Sequence, residues 1–248
     1  MKTVIHPDYS GQAAALQSVT RGNYTPLKTF CDNRNRVELV DVGGKPMVVK
    51  WYKKTNLLTG LIYTLFRKSK ARRAYEHALE LLKRGISTPR PIAYFEQKSR
   101  GLFRVGCFFS EYVDLPAVSE LFYTDKLSKE EHDLMADNLS RFTLSLHLKG
   151  IVPLDYNTGN LLVDKVGDRY RFTLIDINRM KIGRVPKIKE AMTSFFQLGT
   201  YPHDYLGLLE PYVWERGFNF EDALYHVICH RRNQTRLRRF KNIFRKRH

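Results

Sequence analysis

The chain has 248 residues, a length that fits one large domain or two small lobes around a shared cleft. Its hydrophobic content of 43% is enough for a proper core and argues against intrinsic disorder. The formal net charge is +17, with 42 Lys and Arg against 25 acidic residues. This excess favours anionic partners such as nucleotides, nucleic acid, acidic lipid or phosphorylated glycans, and says nothing about the fold.

The cysteines and the N-terminal residues bear on the compartment. Cys31, Cys107 and Cys229 are odd in number, widely spaced and without a CxxC pattern, which argues against a disulfide framework or a zinc site. Residues 1–8 lack the apolar core of a signal peptide, and no apolar run approaches the roughly 20 residues that cross a bilayer. We therefore expect a cytoplasmic protein, with peripheral contact at a membrane surface left open.

The first part of the chain predicts an antiparallel sheet. Alternating apolar residues indicate strands over 28–31 and 37–42, separated by a polar turn. Gly43 and Gly44 are a strong hairpin signal and lead into a third strand over 46–52. Lys50 lies near the end of this strand.

Residues 57–83 change to a helical period. Leu57 to Phe66 contain one apolar face, and Tyr75 to Leu82 contain another. Gly85 ends the second helix, and two further strands follow over 91–95 and 103–109. From Ser128 onward the pattern is mostly helical. We therefore predict five antiparallel strands with helix after the third, followed by a helical region.

Three polar residues carry the chemistry. Asp155 is followed five positions later by Asn160, and two apolar strands later by Asp176. This is the layout of a kinase catalytic loop and metal-binding loop, in which a carboxylate accepts the proton of the attacking hydroxyl while an Asn and an Asp hold magnesium. Taken singly, Asp155 and Asn160 are also ordinary turn residues. Together the three predict a kinase that uses ATP and Mg²⁺, with Asp155 as the base.

Other phrases resemble the lipopolysaccharide core kinases, the Kdo kinase/WaaP family and its heptose-kinase relatives, within the protein-kinase-like superfamily. They are Val48-Val49-Lys50, the Gly-Ile-x-Thr-Pro-x-Pro phrase over 85–91, and Leu-Ile-Asp-Ile-Asn-Arg over 174–179. The likeness covers roughly residues 25 to 185. It implies a two-lobed α+β fold, with a nucleotide-binding N-lobe over 1–112 and a mainly helical catalytic C-lobe over 113–248.

The resemblance also implies nucleotide contacts. Lys50 would bind the α- and β-phosphates and pair with an acidic residue on the next helix, for which Glu76 is our choice and Glu80 the rival. The Glu111 carbonyl and Val113 amide would bind adenine through the backbone. The alternatives are a solvated strand lysine and an ordinary exit from a strand.

The chain also departs from the kinase pattern. Pro153-Leu154 replaces the usual His-Arg or His-Gly before the catalytic Asp, and the turn over 32–36 has no glycine to cover phosphate. Arg34 or Arg36 is a candidate to grip phosphate there, although a solvated turn is the favoured interpretation. The short segment after Asp176 lacks an Ala-Pro-Glu motif and argues against a protein substrate.

Two basic clusters favour an anionic surface. The first follows the apolar residues 57–66 and consists of Arg67, Lys68, Lys70, Arg72 and Arg73. The second runs over 231–247 with Phe240, Ile243 and Phe244 interleaved. Apolar residues beside dense positive charge suit an anionic membrane or an anionic glycolipid. Nucleic acid is a less favoured partner, and a solvated helix face is the ordinary alternative.

The leading hypothesis is an ATP-dependent sugar kinase that phosphorylates Kdo or heptose in the lipopolysaccharide inner core. A second hypothesis is an atypical RIO-like protein or small-molecule kinase whose basic tail binds RNA. A third is a pseudokinase that binds a partner without turnover, motivated by Pro153-Leu154 and opposed by the retention of Asp155, Asn160 and Asp176.

Overall fold

The computed structural model describes residues 1–33, 35–199 and 204–245, with backbone only for residues 204, 238 and 240–245. These residues form two compact units. The first contains Met1–Asp114 and the short segment Ile175–Arg179, and the second contains Leu115–Leu174 and the residues from Met180 onward. The segment that carries Asp176 therefore belongs to the first unit, although the chain on both sides of it belongs to the second.

The first unit contains a six-stranded antiparallel sheet. Its strands are β1 (Lys2–Ile5), β2 (Lys28–Asp32), β3 (Asn35–Asp41), β4 (Pro46–Tyr52), β5 (Pro91–Ser99) and β6 (Leu102–Glu111). Their order across the sheet is β1-β5-β6-β4-β3-β2. Gly43 and Gly44, with φ of +64° and +79°, turn the chain between β3 and β4 as the glycine pair predicts.

The prediction of five strands is one short. The additional strand is β1, which pairs with β5 so that Lys2 lies opposite Glu96 and Ile5 opposite Ala93. Four residues are too few to display an alternating pattern, and this strand is defined by its partner rather than by its own sequence.

Three helices accompany this sheet, namely α1 (Ala13–Thr20), α2 (Leu57–Leu65) and α3 (Lys70–Lys83). The Ser69 hydroxyl caps α3 by accepting from the Arg72 amide at 3.1 Å. The buried side of α3 consists of Ala71, Ala74, Tyr75, Ala78 and Leu81, at the spacing of one helix face. Leu79, which the sequence places on that side, is exposed.

The apolar side of α2 does not join the core. Leu57, Leu58 and Leu65 are 70%, 69% and 62% exposed, and Phe66, directly after the helix, is 81% exposed. The side that faces the sheet carries Gly60 and Thr64 instead.

The second unit is mainly helical. Its helices are α4 (Ser119–Phe122), α5 (Lys129–Leu148), α6 (Ile188–Phe195), α7 (Asp204–Arg216) and α8 (Phe220–Arg245). Two small antiparallel pairs complete it, β7 (Ile151–Pro153) with β10 (Met180–Ile182) and β8 (Leu161–Val166) with β9 (Arg169–Leu174). Ser128 and Glu131 form a capping box at the start of α5.

A buried polar network joins the end of α5 to α6 and α7. His147 is fully buried, with Nδ1 2.8 Å from the Tyr212 hydroxyl and Nε2 3.1 Å from the Ser194 hydroxyl. Arg216 donates to the same Tyr212 oxygen, so a neutral imidazole that accepts at Nδ1 and donates at Nε2 satisfies every group. Burial, assisted by the charge of Arg216, lowers the pKa of His147 to about 3.

This network predicts a loss of stability in mild acid. The folded pKa of His147 lies below the ordinary value of 6.5, so the unfolded chain binds a proton first as the pH falls. The contribution of neutral His147 to the free energy of unfolding is complete above about pH 6.5. It declines toward pH 3, by at most about 1.4 kcal/mol per pH unit. Denaturant unfolding between pH 7 and 5 measures the slope, which we expect to be flatter for His147→Gln. Equal slopes for both proteins would contradict this assignment.

Candidate active site

Lys50 and Asp176 form an ion pair in the first unit. The Lys50 ammonium lies 2.6 Å from Asp176 Oδ1, and the two side chains are 15% and 30% exposed. Lys50 is held in mid-sheet, opposite Val37 on β3 and Phe108 on β6. Because both charges are largely withdrawn from water, their attraction is stronger than that of a surface pair. This contact joins two of the residues that the sequence predicts for the nucleotide and its metal.

Asp176 adopts an unusual backbone conformation. Its φ is +53°, in the left-handed region that Asp tolerates better than most residues do. The Asn178 amide donates to Asp176 Oδ1, the same oxygen that Lys50 contacts. Asp176-Ile177-Asn178 occupies the place of the Asp-Phe-Gly motif of kinases, so Asn178 stands where that motif has its glycine. The residue with left-handed backbone angles here is Asp176, the first of the three. Strained residues of this kind recur at functional sites.

His77 on α3 holds this segment in place, although it is not among the residues that the sequence predicts for the site. Its Nδ1–H donates to the Ile177 carbonyl at 2.6 Å, immediately after Asp176. Burial lowers the pKa of His77, so the ring is neutral near pH 7. The only available signal was a histidine beside Glu76 on a predicted helix, and nothing in its spacing marks a contact with Ile177.

We expect His77→Phe to weaken Mg-ATP binding by about tenfold, because the Ile177 carbonyl loses its donor and the segment bearing Asp176 loosens. His77→Asn, whose amide nitrogen can stand where Nδ1 stands, should recover most of the affinity. Calorimetric titration with Mg-ATP measures both. Equal losses in the two variants would indicate a packing role for His77 rather than positioning through the hydrogen bond.

Glu76 does not pair with Lys50 in this structure. Its carboxylate binds Lys68 and Arg72 instead, each at 2.8 Å. Burial alone would raise its pKa, but these two cations hold the pKa of Glu76 below its ordinary value. The rival residue Glu80 pairs with Arg84 at 2.6 Å. In this structure Lys50 thus pairs with Asp176, while both candidate carboxylates on α3 pair with other cations.

The predicted adenine-binding residues lie at the end of β6, where Glu111 is the last residue of the strand and Val113 follows it. The Glu111 amide donates to the Arg90 carbonyl at 3.0 Å, and its carboxylate accepts from the Tyr9 hydroxyl. Burial, together with this hydrogen bond, raises the pKa of Tyr9 to about 12. Val113 is half-buried beyond the strand. The adenine contacts of the Glu111 carbonyl and Val113 amide remain predictions.

Asp155 and Asn160 are joined within the second unit. The Asn160 amide donates to the Asp155 carbonyl at 2.8 Å, across a 3₁₀ turn over Thr158–Asn160. Asn157 caps that turn by accepting from the Gly159 amide at 3.0 Å. Because the Asn160 nitrogen is used in this bond, its carboxamide oxygen is the atom that can bind a cation. The loop is therefore a defined turn, held by hydrogen bonds to the Asp155 backbone carbonyl, that contains both predicted residues.

Other residues support the loop where the usual His-Arg is absent. Pro153 is buried and lies opposite Met180 in the β7–β10 pair. The Gln197 amide donates to the Leu154 carbonyl at 3.3 Å. Tyr156 is fully buried, with its hydroxyl 3.0 Å from that of Thr143 on α5. Support for the loop that carries Asp155 thus comes from α5 and from the residues after α6.

In comparison with known proteins, residues 37–197 match the sequence profile of the lipopolysaccharide kinase (Kdo/WaaP) family. The chain belongs to this family. No curated protein matches the chain. A solved structure described as "WaaP in complex with acyl carrier protein" is similar with a TM-score of 0.64 and 16% identity, covering 96% of this chain and 99% of that one. The predicted family and the predicted kinase-like α+β fold are confirmed.

The chain is also similar to a solved structure of a double mutant of the PknI kinase domain from Mycobacterium tuberculosis. It has a TM-score of 0.41 and 17% identity, covering 62% of this chain and 58% of that one.

For this member of the Kdo/WaaP family, the donor atoms suit magnesium. Asp176 offers carboxylate oxygens and Asn160 a carboxamide oxygen, the hard donors that Mg²⁺ prefers. No group of three or more His, Cys, Asp or Glu side chains able to hold a metal occurs within the described ranges. Mg²⁺ usually takes one or two protein groups and completes its shell with water and substrate phosphates, so each of these side chains is of a type that such a metal can bind.

Of the two arginines that are candidates to bind phosphate in the turn between β2 and β3, the structure describes Arg36. Arg34 lies outside the described residues. Arg36 is 3.2 Å from Glu38 and lies over the Trp51 ring, with 5.8 Å to the ring centroid. Arg36 is thus already engaged within the sheet.

The structure of this Kdo/WaaP family member describes all side chains of the first basic cluster and only some of those of the second. In the first, Lys68 and Arg72 pair with Glu76, and Arg67 is exposed. The second lies on α8, where the side chains of Phe240, Ile243 and Phe244 and the whole of residues 246–248 fall outside the described part. None of the helices in the described ranges is both long enough and apolar enough to traverse a lipid bilayer.

Proposed function

We propose that the protein is an ATP-dependent kinase that transfers the γ-phosphate to a sugar hydroxyl, on Kdo or heptose, of the lipopolysaccharide inner core. The ion pair between Lys50 and Asp176 carries the proposal. It joins the proposed phosphate-binding cation to the proposed metal-binding carboxylate inside the region that matches the Kdo/WaaP family.

Each residue has one task in this proposal. Lys50 binds the α- and β-phosphates through its ammonium, and the Glu111 carbonyl and Val113 amide hold adenine. Asp176 and Asn160 hold Mg²⁺, which when bound neutralises charge on the phosphates. Asp155 orients the acceptor hydroxyl and takes its proton as the oxygen attacks phosphorus.

The acceptor is expected to be anionic and lipid-linked. A formal net charge of +17 favours a phosphorylated or acidic sugar over a neutral one. Because inner-core sugars are attached to a lipid, the protein would work in the cytoplasm at the inner face of the inner membrane, where ATP is present. This location and acceptor are proposals.

The experiment that tests the proposal uses ATP labelled on its γ-phosphate. The purified protein is incubated with Mg²⁺ and, in separate reactions, with intact core glycolipid, delipidated core oligosaccharide and a general protein substrate. We expect label on the glycolipid or oligosaccharide and none on protein. Label on protein alone would overturn the proposal. Mass analysis of the product locates the phosphate on Kdo or on heptose.

A further inference from the structure

Helix α2 has its apolar residues on the side away from the protein. Leu58 and Leu65 are among the most exposed apolar side chains described. Five side chains of the helix form this outward face, which continues into the exposed Phe66. The face consists of Leu57, Leu58, Leu61, Ile62 and Leu65. A contiguous exposed aliphatic surface of this kind marks an interaction site.

The opposite side of α2 is firmly attached to the sheet. The Thr64 hydroxyl accepts from the Phe103 amide at 2.9 Å and donates to the Gly60 carbonyl at 2.7 Å. Gly60 is so close to β6 that a Cβ there would lie 2.6 Å from the Phe103 carbonyl oxygen. Tyr63 packs edge-on against Phe103, with ring centroids 5.4 Å apart. The orientation of α2 is therefore built into the fold, and the apolar face points outward in the folded protein.

The chain segment that contains α2 carries charge of one sign. Residues 42–75 contain no Asp or Glu. Exposed cations precede the helix at Lys53 and Lys54 and follow it at Arg67 and Lys68, and of these Lys68 also pairs with Glu76. Aliphatic side chains between two groups of cations match the boundary of a bilayer, where acyl chains lie beneath anionic headgroups.

We propose that the outward face of α2 docks on an anionic lipid bilayer, with its leucines in the acyl region and the flanking cations at the headgroups. A second copy of the chain is a poorer occupant, since facing two such surfaces would bring like charges together. Nucleic acid is also poorer, because aliphatic side chains neither stack on bases nor bind phosphate. The docking needs no nucleotide and stands independently of the catalytic proposal.

The test is sedimentation with vesicles of phosphatidylglycerol and phosphatidylcholine in equal parts, compared with phosphatidylcholine alone. We expect binding to the anionic vesicles that declines with salt and is at least about tenfold weaker to the neutral ones. Leu58→Gln/Leu65→Gln should reduce binding to the anionic vesicles by at least about tenfold. Leu148→Gln, an equally simple change at an exposed leucine of α5, is the matched control and should bind as the wild type does.

A charge variant separates the two parts of the contact. Lys53→Glu/Arg67→Glu should abolish the preference for anionic over neutral vesicles while leaving the apolar face intact. Thermal unfolding of each variant shows that the fold is kept, as expected for exposed positions.

Three outcomes would overturn the proposal. The first is no binding to anionic vesicles by the wild type. The second is equal binding by wild type and Leu58→Gln/Leu65→Gln. The third is a wild-type dimer in analytical ultracentrifugation that the same double variant dissociates, which would assign the face to self-association.

Discussion

Replacing Asp155 with Asn should lower kcat for phosphoryl transfer by about a thousandfold, because the variant keeps the shape of the loop but cannot accept the hydroxyl proton. The Asn160 amide binds the backbone carbonyl of residue 155 rather than its side chain, so the turn should persist. Affinity for Mg-ATP should change little. Steady-state kinetics with the core glycolipid and calorimetry with Mg-ATP measure the two effects separately.

Asp164→Asn is the matched control for this variant, since Asp164 is exposed on the neighbouring strand β8. It should keep the wild-type kcat. A fully active Asp155→Asn protein would remove Asp155 from the chemistry, and a fall in Mg-ATP affinity of the same size as the fall in kcat would reassign it to binding.

Replacing Asp176 with Asn should reduce kcat/KM by at least about a hundredfold, through weaker binding of Mg²⁺ and loss of the charge that pairs with Lys50. The side chain keeps its size, so the hydrogen bond from Asn178 and the backbone at φ +53° need not be lost. Initial rates measured over a wide range of Mg²⁺ concentration provide the test, and high Mg²⁺ should restore part of the activity.

The variant Lys50→Met distinguishes the role of Lys50 from that of Asp176. It should weaken ATP binding without the partial rescue by Mg²⁺, because the lost group is a cation for phosphate and not a metal ligand. If the activity of Asp176→Asn were independent of Mg²⁺ at every concentration, Asp176 would not be a metal ligand.

The candidate catalytic residues could be proposed from sequence because they are close together in the chain. Asp155 and Asn160 lie in one turn, and Asp176 follows the hairpin β8–β9, so their spacing alone indicated the chemistry. Lys50 could be proposed as the phosphate-binding lysine because it follows two alternating strands and the glycine turn. These features depend on local pattern, which a single sequence displays directly.

The partner of Lys50 could not be predicted in the same way. Glu76 lies one helical turn after Arg72, and such neighbours pair at little entropic cost. An acidic residue on α3 can therefore pair with a cation one turn away on the same helix, in competition with a more distant partner on the sheet. Choosing between local and distant partners requires coordinates, as did the contact between His77 and Ile177.

The outward face of α2 shows a different limit. Periodicity identified an apolar side from Leu57 to Phe66, but an apolar side is ordinarily assigned to the core. The signal that could have reversed this assignment was on the other side of the helix, where Gly60 and Thr64 are small enough for close approach to β6.

Strand β1 has a practical bearing on how the protein is handled. It covers the outer hydrogen-bonding edge of β5, and β2 does the same for β3. A fragment cut to the family match at residues 37–197 would omit both of these short edge strands and make the longer strands β5 and β3 the edges of the sheet. Long open edges recruit strands from other molecules more readily than short ones, so such a fragment would tend to aggregate, whereas a polypeptide that retains β1 and β2 would keep β5 and β3 closed to intermolecular pairing.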